Sequence, residues 1–196
     1  MKISEFHNYY MKKKYFYLVE FHDIDKTRDA DYNQNIGIPQ REGYMIISFF
    51  GHKLIRGCND LPKQIEQVIL KNIKQNEKIF FYCGGYGNFD VLCASVCRTI
   101  AHNVPNCEIV YITPYITEAQ QQKIKHYINI KMYDSVIFPP LETVPPKYAI
   151  LKRNEWMAEQ ADLIIGYVEH AFGGAYTAIE YARKKKKQVI NLYEVK

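Results

Sequence analysis

From residue 44 onward, short apolar runs alternate with segments patterned as helices, and this alternation limits the fold more than any other feature. MIISFF (45–50) is an unbroken apolar run, as expected of a strand covered on both faces. Asn59 and Asp60 then stand as caps before a helix with Ile65, Val68, Ile69 and Ile73 at helical spacing. KIFFYC (78–83) is a second strand, followed by CGGYGNFD and a helix carrying Val91, Leu92, Ser95, Val96 and Ile100. EIVYIT (108–113) is a third strand stopped by Pro114, and a short helix near 117–127 takes Thr117 as its cap. SVIFPP (135–140) is a fourth strand closed by its prolines, and PPKYAILKRNEWMAEQ (145–160) opens a helix with proline where it is tolerated. DLIIGYV (162–168), a glycine turn, a helix over about 176–187 and QVINLY (188–193) complete the series. Six strands separated by helices require right-handed crossovers. The expected fold is therefore α/β, a doubly wound, mostly parallel sheet of about six strands.

A chain of 196 residues fits one domain of this kind, and no internal repeat or second domain is evident. The expected division is residues 44–196 as the α/β domain and 1–43 as an N-terminal extension. The extension is rich in Tyr, Lys, Asp and Asn, and its one strand-like run, YFYLVEF (15–21), either adds an edge strand or lies over the sheet. DADYNQN (29–35) reads as a loop.

The net charge of +5 owes much to two basic runs, Lys12 to Lys14 and Arg183 to Lys187. Both read as solvated faces rather than a nucleic-acid groove, and the second falls at a helix C-terminus, where cations complement the macrodipole. No run of about 18 apolar residues suggests a transmembrane helix, and MKISEFHNYYMKKK lacks the apolar core of a signal peptide. The five cysteines (Cys58, Cys83, Cys93, Cys97, Cys107) contain no CxxC pair and read as reduced thiols of a cytoplasmic protein. Neither a metal site nor a cofactor is expected.

In an open parallel sheet, ligands bind beyond the carboxyl ends of the strands, near the point where strand order reverses. That rule selects FGHK (50–53), CGGYGNFD (83–90), ITPY (112–115) and EHAFGGAYTAIE (169–180). The candidate contacts are Gly51 and His52, then Gly84, Gly85, Tyr86, Gly87 and Asp90, then Pro114, and then His170. The glycines either admit a phosphate at a helix N-terminus or only make a tight turn. Asp90 either accepts a ribose hydroxyl or only favours the first helical turn. His52 and His170 are either ligand contacts or structural, and Trp156 reads as core.

LKRNEWMAEQADLIIGYVEHAFGGAYTAIEYA (151–182) resembles the paired signature of the LOG and Smf/DprA-type Rossmann proteins, the SLOG superfamily. Arg153 precedes Asp162 by the family's nine residues, with Met157 in register. The family turn G-G-x-G-T-x-x-E corresponds to Gly173, Gly174, Ala175, Tyr176, Thr177, Ala178, Ile179 and Glu180. FFGHK, CGGYGNFD and KRNEWMAEQAD together look like the YpsA-like branch, over about 44–194. The chain departs from the LOG pattern at Tyr176, which replaces the third glycine, and at Phe172, where proline is common.

The resemblance implies a ligand carrying both phosphate and ribose. The glycine turn (Gly173, Gly174, Ala175, Tyr176, Thr177) would hold the phosphate, with Arg153 and Glu180 towards the ribose and Asn154 as a further ligand contact. In LOG enzymes an N-glycosidic bond is cleaved, so Arg153 and Glu180 are the catalytic candidates if this chain is an enzyme. An ionised carboxylate can stabilise an oxocarbenium-like sugar and orient water. A ring at position 176 would crowd the phosphate, so binding is expected to survive more easily than hydrolysis. The expected function is capture of a nucleotide, NAD or ADP-ribose-like signal by a sensor or sequestering module. The alternatives are LOG-like hydrolysis and, more weakly, single-stranded DNA binding as in Smf/DprA. Arg153 pairing only with Glu155, Glu159 or Asp162, and Glu180 serving only its helix, are the structural alternatives. Resemblance also implies at least a dimer, with AHNVPNCEIVYITPYI, near one sheet edge, as its contact; nucleic acid and membrane are not expected partners.

Overall fold

The sheet grows in both directions from its second strand. The computed structural model describes residues 43–55, 59–74 and 77–193, together with the backbone of 16–18. β1 is Phe16–Leu18, β2 Tyr44–Gly51, β3 Lys78–Cys83, β4 Cys107–Ile112, β5 Ser135–Phe138, β6 Leu163–Tyr167 and β7 Gln188–Asn191. The helices are α1 (Leu61–Asn72), α2 (Asn88–Asn103), α3 (Glu118–Asn129), α4 (Ala149–Gln160) and α5 (Gly174–Lys184), with a 3-10 turn at Pro146–Tyr148 leading into α4. The spatial order is β1-β5-β4-β3-β2-β6-β7. Strands β2 to β7 are all parallel, and β1 is antiparallel to β5, with Tyr17 opposite Ile137. This is the doubly wound α/β fold that the alternation of elements predicts.

Each strand alternates its side chains between two apolar layers. Ile47, Phe49, Ile79, Phe81, Ile109 and Tyr111 meet Leu61, Ile65 and Ile69 of α1, Phe89, Cys93 and Ile100 of α2, and Ile124 of α3. Ile46, Phe50, Tyr82, Val110, Ile112 and Ile164 face Met157 and Ala158 of α4 and Ala178, Ile179 and Ala182 of α5. Complete burial of an Ile such as Ile65 or Ile69 contributes about 1.5–3 kcal/mol. The alanines let α4 and α5 lie close to the sheet and to each other.

Two aspartates tie neighbouring strands together where they begin. Asp162, just before β6, accepts the Ile46 N–H of β2 at 2.9 Å. Asp134, just before β5, accepts the Ile109 N–H of β4 at 2.8 Å. Thr117 Oγ1 accepts the Gln120 N–H at 3.3 Å, as its cap position predicts. Asp60 caps α1 by position but makes no side-chain bond there, because its backbone is helical rather than extended.

Two expectations need correction. α5 begins at Gly174 rather than near 176, because Gly173 at φ +91° ends the turn two residues earlier. β4, the heart of AHNVPNCEIVYITPYI, lies third from the β1 edge, between β3 and β5. The run from Lys184 is not simply solvated, since Lys187 donates to the Glu159 and Ala161 carbonyls at the end of α4. Cys58, Lys12 to Lys14 and DADYNQN lie outside the described residues.

The chain builds β2, β3, β4 and β5 to one side, and α4 then carries it back to β6 on the other side of β2. Strand order reverses between β2 and β6, so their carboxyl ends border the crevice. Among the described residues, no helix is long and apolar enough to cross a membrane.

Candidate functional site

The turn after β3 holds a buried arginine from α4. Arg153 is 3% exposed. Its Nη1 donates to the Ile112 carbonyl of β4 at 3.3 Å and lies 3.6 Å from Met157 Sδ. The guanidinium carbon is 5.1 Å from the centre of the Tyr86 ring, and Nε is buried with no partner. This seat exists because residue 84 is glycine: a Cβ there would lie 1.9 Å from Nη1. Burial pulls the Arg153 pKa down, while the Asp90 charge works in the other direction. A buried guanidinium short of partners is costly to keep. Isolated costs of this kind collect at functional sites.

Asp90 sits in the first turn of α2, whose N-cap, Gly87, offers no side-chain cap. Its Oδ2 accepts the Tyr86 N–H at 2.7 Å. Burial raises the carboxyl pKa to about 6, against the opposing pull of that hydrogen bond and of Arg153. Tyr86, 39% exposed, has Arg153 near its ring and Lys123 Nζ 5.9 Å from its centre. Gly84, Gly85, Tyr86, Asp90 and Arg153 therefore form one group. Gly85 and Gly87 both have positive φ, and Gly51 makes room for the Phe89 ring. The structural alternatives for Arg153 do not hold. Glu155 binds Lys152, Glu159 binds Lys185, and Asp162 bonds the backbone of β2.

The second group lies at the point of strand reversal. His52 extends the β2–β6 pairing by donating its N–H to the Tyr167 carbonyl at 3.3 Å. Its Nε2 accepts the Glu169 and His170 N–H groups at 3.0 and 3.2 Å, so the ring proton is on Nδ1. Burial and the neighbouring His170 lower the His52 pKa, while Glu169 opposes the shift. The His52 and His170 ring centres are 5.2 Å apart. From β7, the Asn191 amide takes both backbone groups of Val168 at 2.9 Å, and Tyr193 OH donates to Glu169 at 3.1 Å. Residues 168–170 are thus held from two neighbouring strands.

Next comes the glycine turn. Gly173 and Gly174 are exposed, with nothing within 4 Å of a Cβ at Gly173 and only Asn154 Nδ2, at 4.0 Å, near one at Gly174. α5 has no side-chain cap. Asn154 is 9% exposed and its amide makes no hydrogen bond among the described residues. An open helix N-terminus with a buried, unpartnered amide directed at it is suited to an anion. Thr177 Oγ1 donates to the Gly173 carbonyl at 3.0 Å. Ala175 and Tyr176 are half-buried and pack against the apolar layer beneath α5. Pro114 follows β4 half-buried. Glu180, half-buried on α5, pairs with Arg183 at 3.0 Å, and no ion pair joins it to Arg153. Trp156 stacks on Tyr82, as its core reading implies.

Sequence reasoning misses Phe172, Glu169, Asn191 and Lys123. Phe172, at 71% exposure, is the most exposed large apolar residue of those described. Its departure from the family proline is the one signal that marks it beforehand.

No protein-family model matches the chain, and no curated protein matches it. Solved structures do. DNA processing protein A (DprA) from Streptococcus pneumoniae superposes with a TM-score of 0.52 at 16% identity, over 74% of this chain and 49% of that one. DNA processing protein A from Helicobacter pylori, described with a single-stranded DNA binding mode, gives 0.51 at 15% identity, over 75% of this chain and 64% of that one. The chain thus spans about half of the first and under two thirds of the second. These likenesses show a shared Rossmann-like α/β fold.

Proposed function

We propose that the chain is a nucleotide-binding member of the SLOG superfamily, of its YpsA-like branch. It takes a nucleotide, NAD or an ADP-ribose-like signal in the crevice at the strand carboxyl ends, as a sensor or sequestering module. The observation that carries this reading is the uncapped, exposed N-terminus of α5 with the unpartnered Asn154 amide directed at it. The phosphate of the ligand occupies that turn, and Arg153, the residue before Asn154 on α4, supplies a cation to the crevice once Tyr86 moves. Glu180, paired with Arg183, gives the reading no support for hydrolysis. The free thiols of Cys83, Cys93, Cys97 and Cys107 fit a reducing, cytoplasmic setting. By resemblance to LOG proteins, the chain pairs with a second copy.

A second reading, single-stranded DNA binding, is favoured by the fold shared with DprA and by the exposed rings of Tyr86, His170 and Phe172. One thermal-shift panel of AMP, NAD, ADP-ribose and oligothymidylate tests both. Ligand at about 100 times its dissociation constant adds roughly 2.7 kcal/mol of stability. Stabilisation by a mononucleotide supports the first reading. Stabilisation by oligothymidylate alone replaces it with the second.

A further inference from the structure

Three rings form a ladder at the rim of the crevice. The His52 and His170 ring centres are 5.2 Å apart at 36°, and those of His170 and Phe172 are 5.3 Å apart at 7°. His52 lies in the groove between β2 and β6, and Phe172 is 71% exposed at the outer end. The ladder does not hang on a loose loop. The backbone of its middle residue is fixed by the His170 N–H to His52 Nε2, and the residue before it by the Glu169 N–H to the same atom. The chain then passes directly from Phe172 into the open turn of Gly173 and Gly174, towards which the Asn154 amide is directed.

An exposed phenyl ring stacked parallel on an imidazole whose backbone is anchored offers an apolar, flat surface at the mouth of the turn. Flat aromatic groups stack on such surfaces, and holding the surface beforehand lowers the entropy lost on binding. A ligand with an anionic group one residue away and a planar aromatic group of its own satisfies both features at once.

We propose that Phe172, backed by His170 and His52, is the platform on which the aromatic base of a mononucleotide stacks while its phosphate sits at the N-terminus of α5. This rests on the nucleotide-binding reading and adds the residue that selects for an aromatic base. A mononucleotide supplies both groups in one molecule, its base and phosphate one sugar apart, as ring ladder and anion turn adjoin within consecutive residues.

The test compares AMP with ribose 5-phosphate, which has the same phosphate and sugar but no base, by calorimetry on wild type, Phe172→Ala and Phe172→Trp. Phe172→Ala should weaken AMP about tenfold, the size of one lost base–aromatic stack, and leave ribose 5-phosphate unchanged. Phe172→Trp should retain AMP affinity and show quenched indole fluorescence when AMP binds. Undiminished AMP affinity in Phe172→Ala, or an equal loss for both probes, overturns the platform while the anion turn stands. No binding of AMP to wild type overturns the platform, and the nucleotide reading falls with it when NAD and ADP-ribose also fail to bind. Phe172 is exposed, so its replacement leaves the fold intact, and matching circular dichroism spectra verify this.

Discussion

At the scale of single residues, the most informative side chain is one kept at a cost to stability. Arg153 has a buried Nε without a partner, and no carboxylate among the described residues forms an ion pair with it. A single buried charge carries a desolvation cost of several kcal/mol that an apolar side chain of similar length does not. Arg153→Met should therefore raise the melting temperature of the ligand-free protein and abolish the thermal shift with AMP. A ligand-free loss of stability would instead make the guanidinium a structural post. Asp90 gives a prediction with a definite pH sign. Its folded pKa of about 6 lies above the ordinary 3.8, so its favourable contribution is full below about pH 4 and is lost as pH rises to about 6. Asp90→Asn keeps an acceptor for the Tyr86 N–H and removes the titration. Urea unfolding should show wild type losing up to about 3 kcal/mol relative to the variant across that window; parallel profiles would contradict the buried carboxyl. Sequence alone marked Arg153 and Asp90, but not that Tyr86 and Gly84 would enclose the arginine. Those contacts depend on how α4 crosses β4, which no local pattern encodes.

At the scale of elements, the crevice rim depends on one amide. Asn191 is buried and spans both backbone groups of Val168. Asn191→Ala leaves a buried N–H and a buried carbonyl unpaired, and should cost about 2–4 kcal/mol by urea unfolding. A cost near zero would mean that water replaces the amide. The strands and helices themselves were legible because apolar runs and helical spacing are local signals. KIFFYC is β3 without a change of boundary. The start of α5 was not legible, since two consecutive glycines offer two places to stop, and only the backbone shows Gly173 as the cap. Asn191 was hidden for another reason: within QVINLY it reads as one more strand residue, and its role appears only against β6.

At the scale of the whole molecule, the class of fold was readable but the order of strands was not. Order depends on which strands pair, and no local pattern sets β4 between β3 and β5 or β6 beside β2. That same order brings His52 beside His170, although 117 residues separate the chain positions joined through His52 and Glu169. It also brings Tyr86, after β3, over Arg153 on α4. The last arrangement has a kinetic consequence. The ring shields the cation from solvent until it swings aside, and exposed side chains rotate in picoseconds to nanoseconds. Such a motion is too fast to delay the arrival of a ligand. On the proposed nucleotide-binding reading, a ring that closes again over an anion at Arg153 acts on departure instead, so ligands that do and do not engage Arg153 should differ in residence time far more than in their rate of capture.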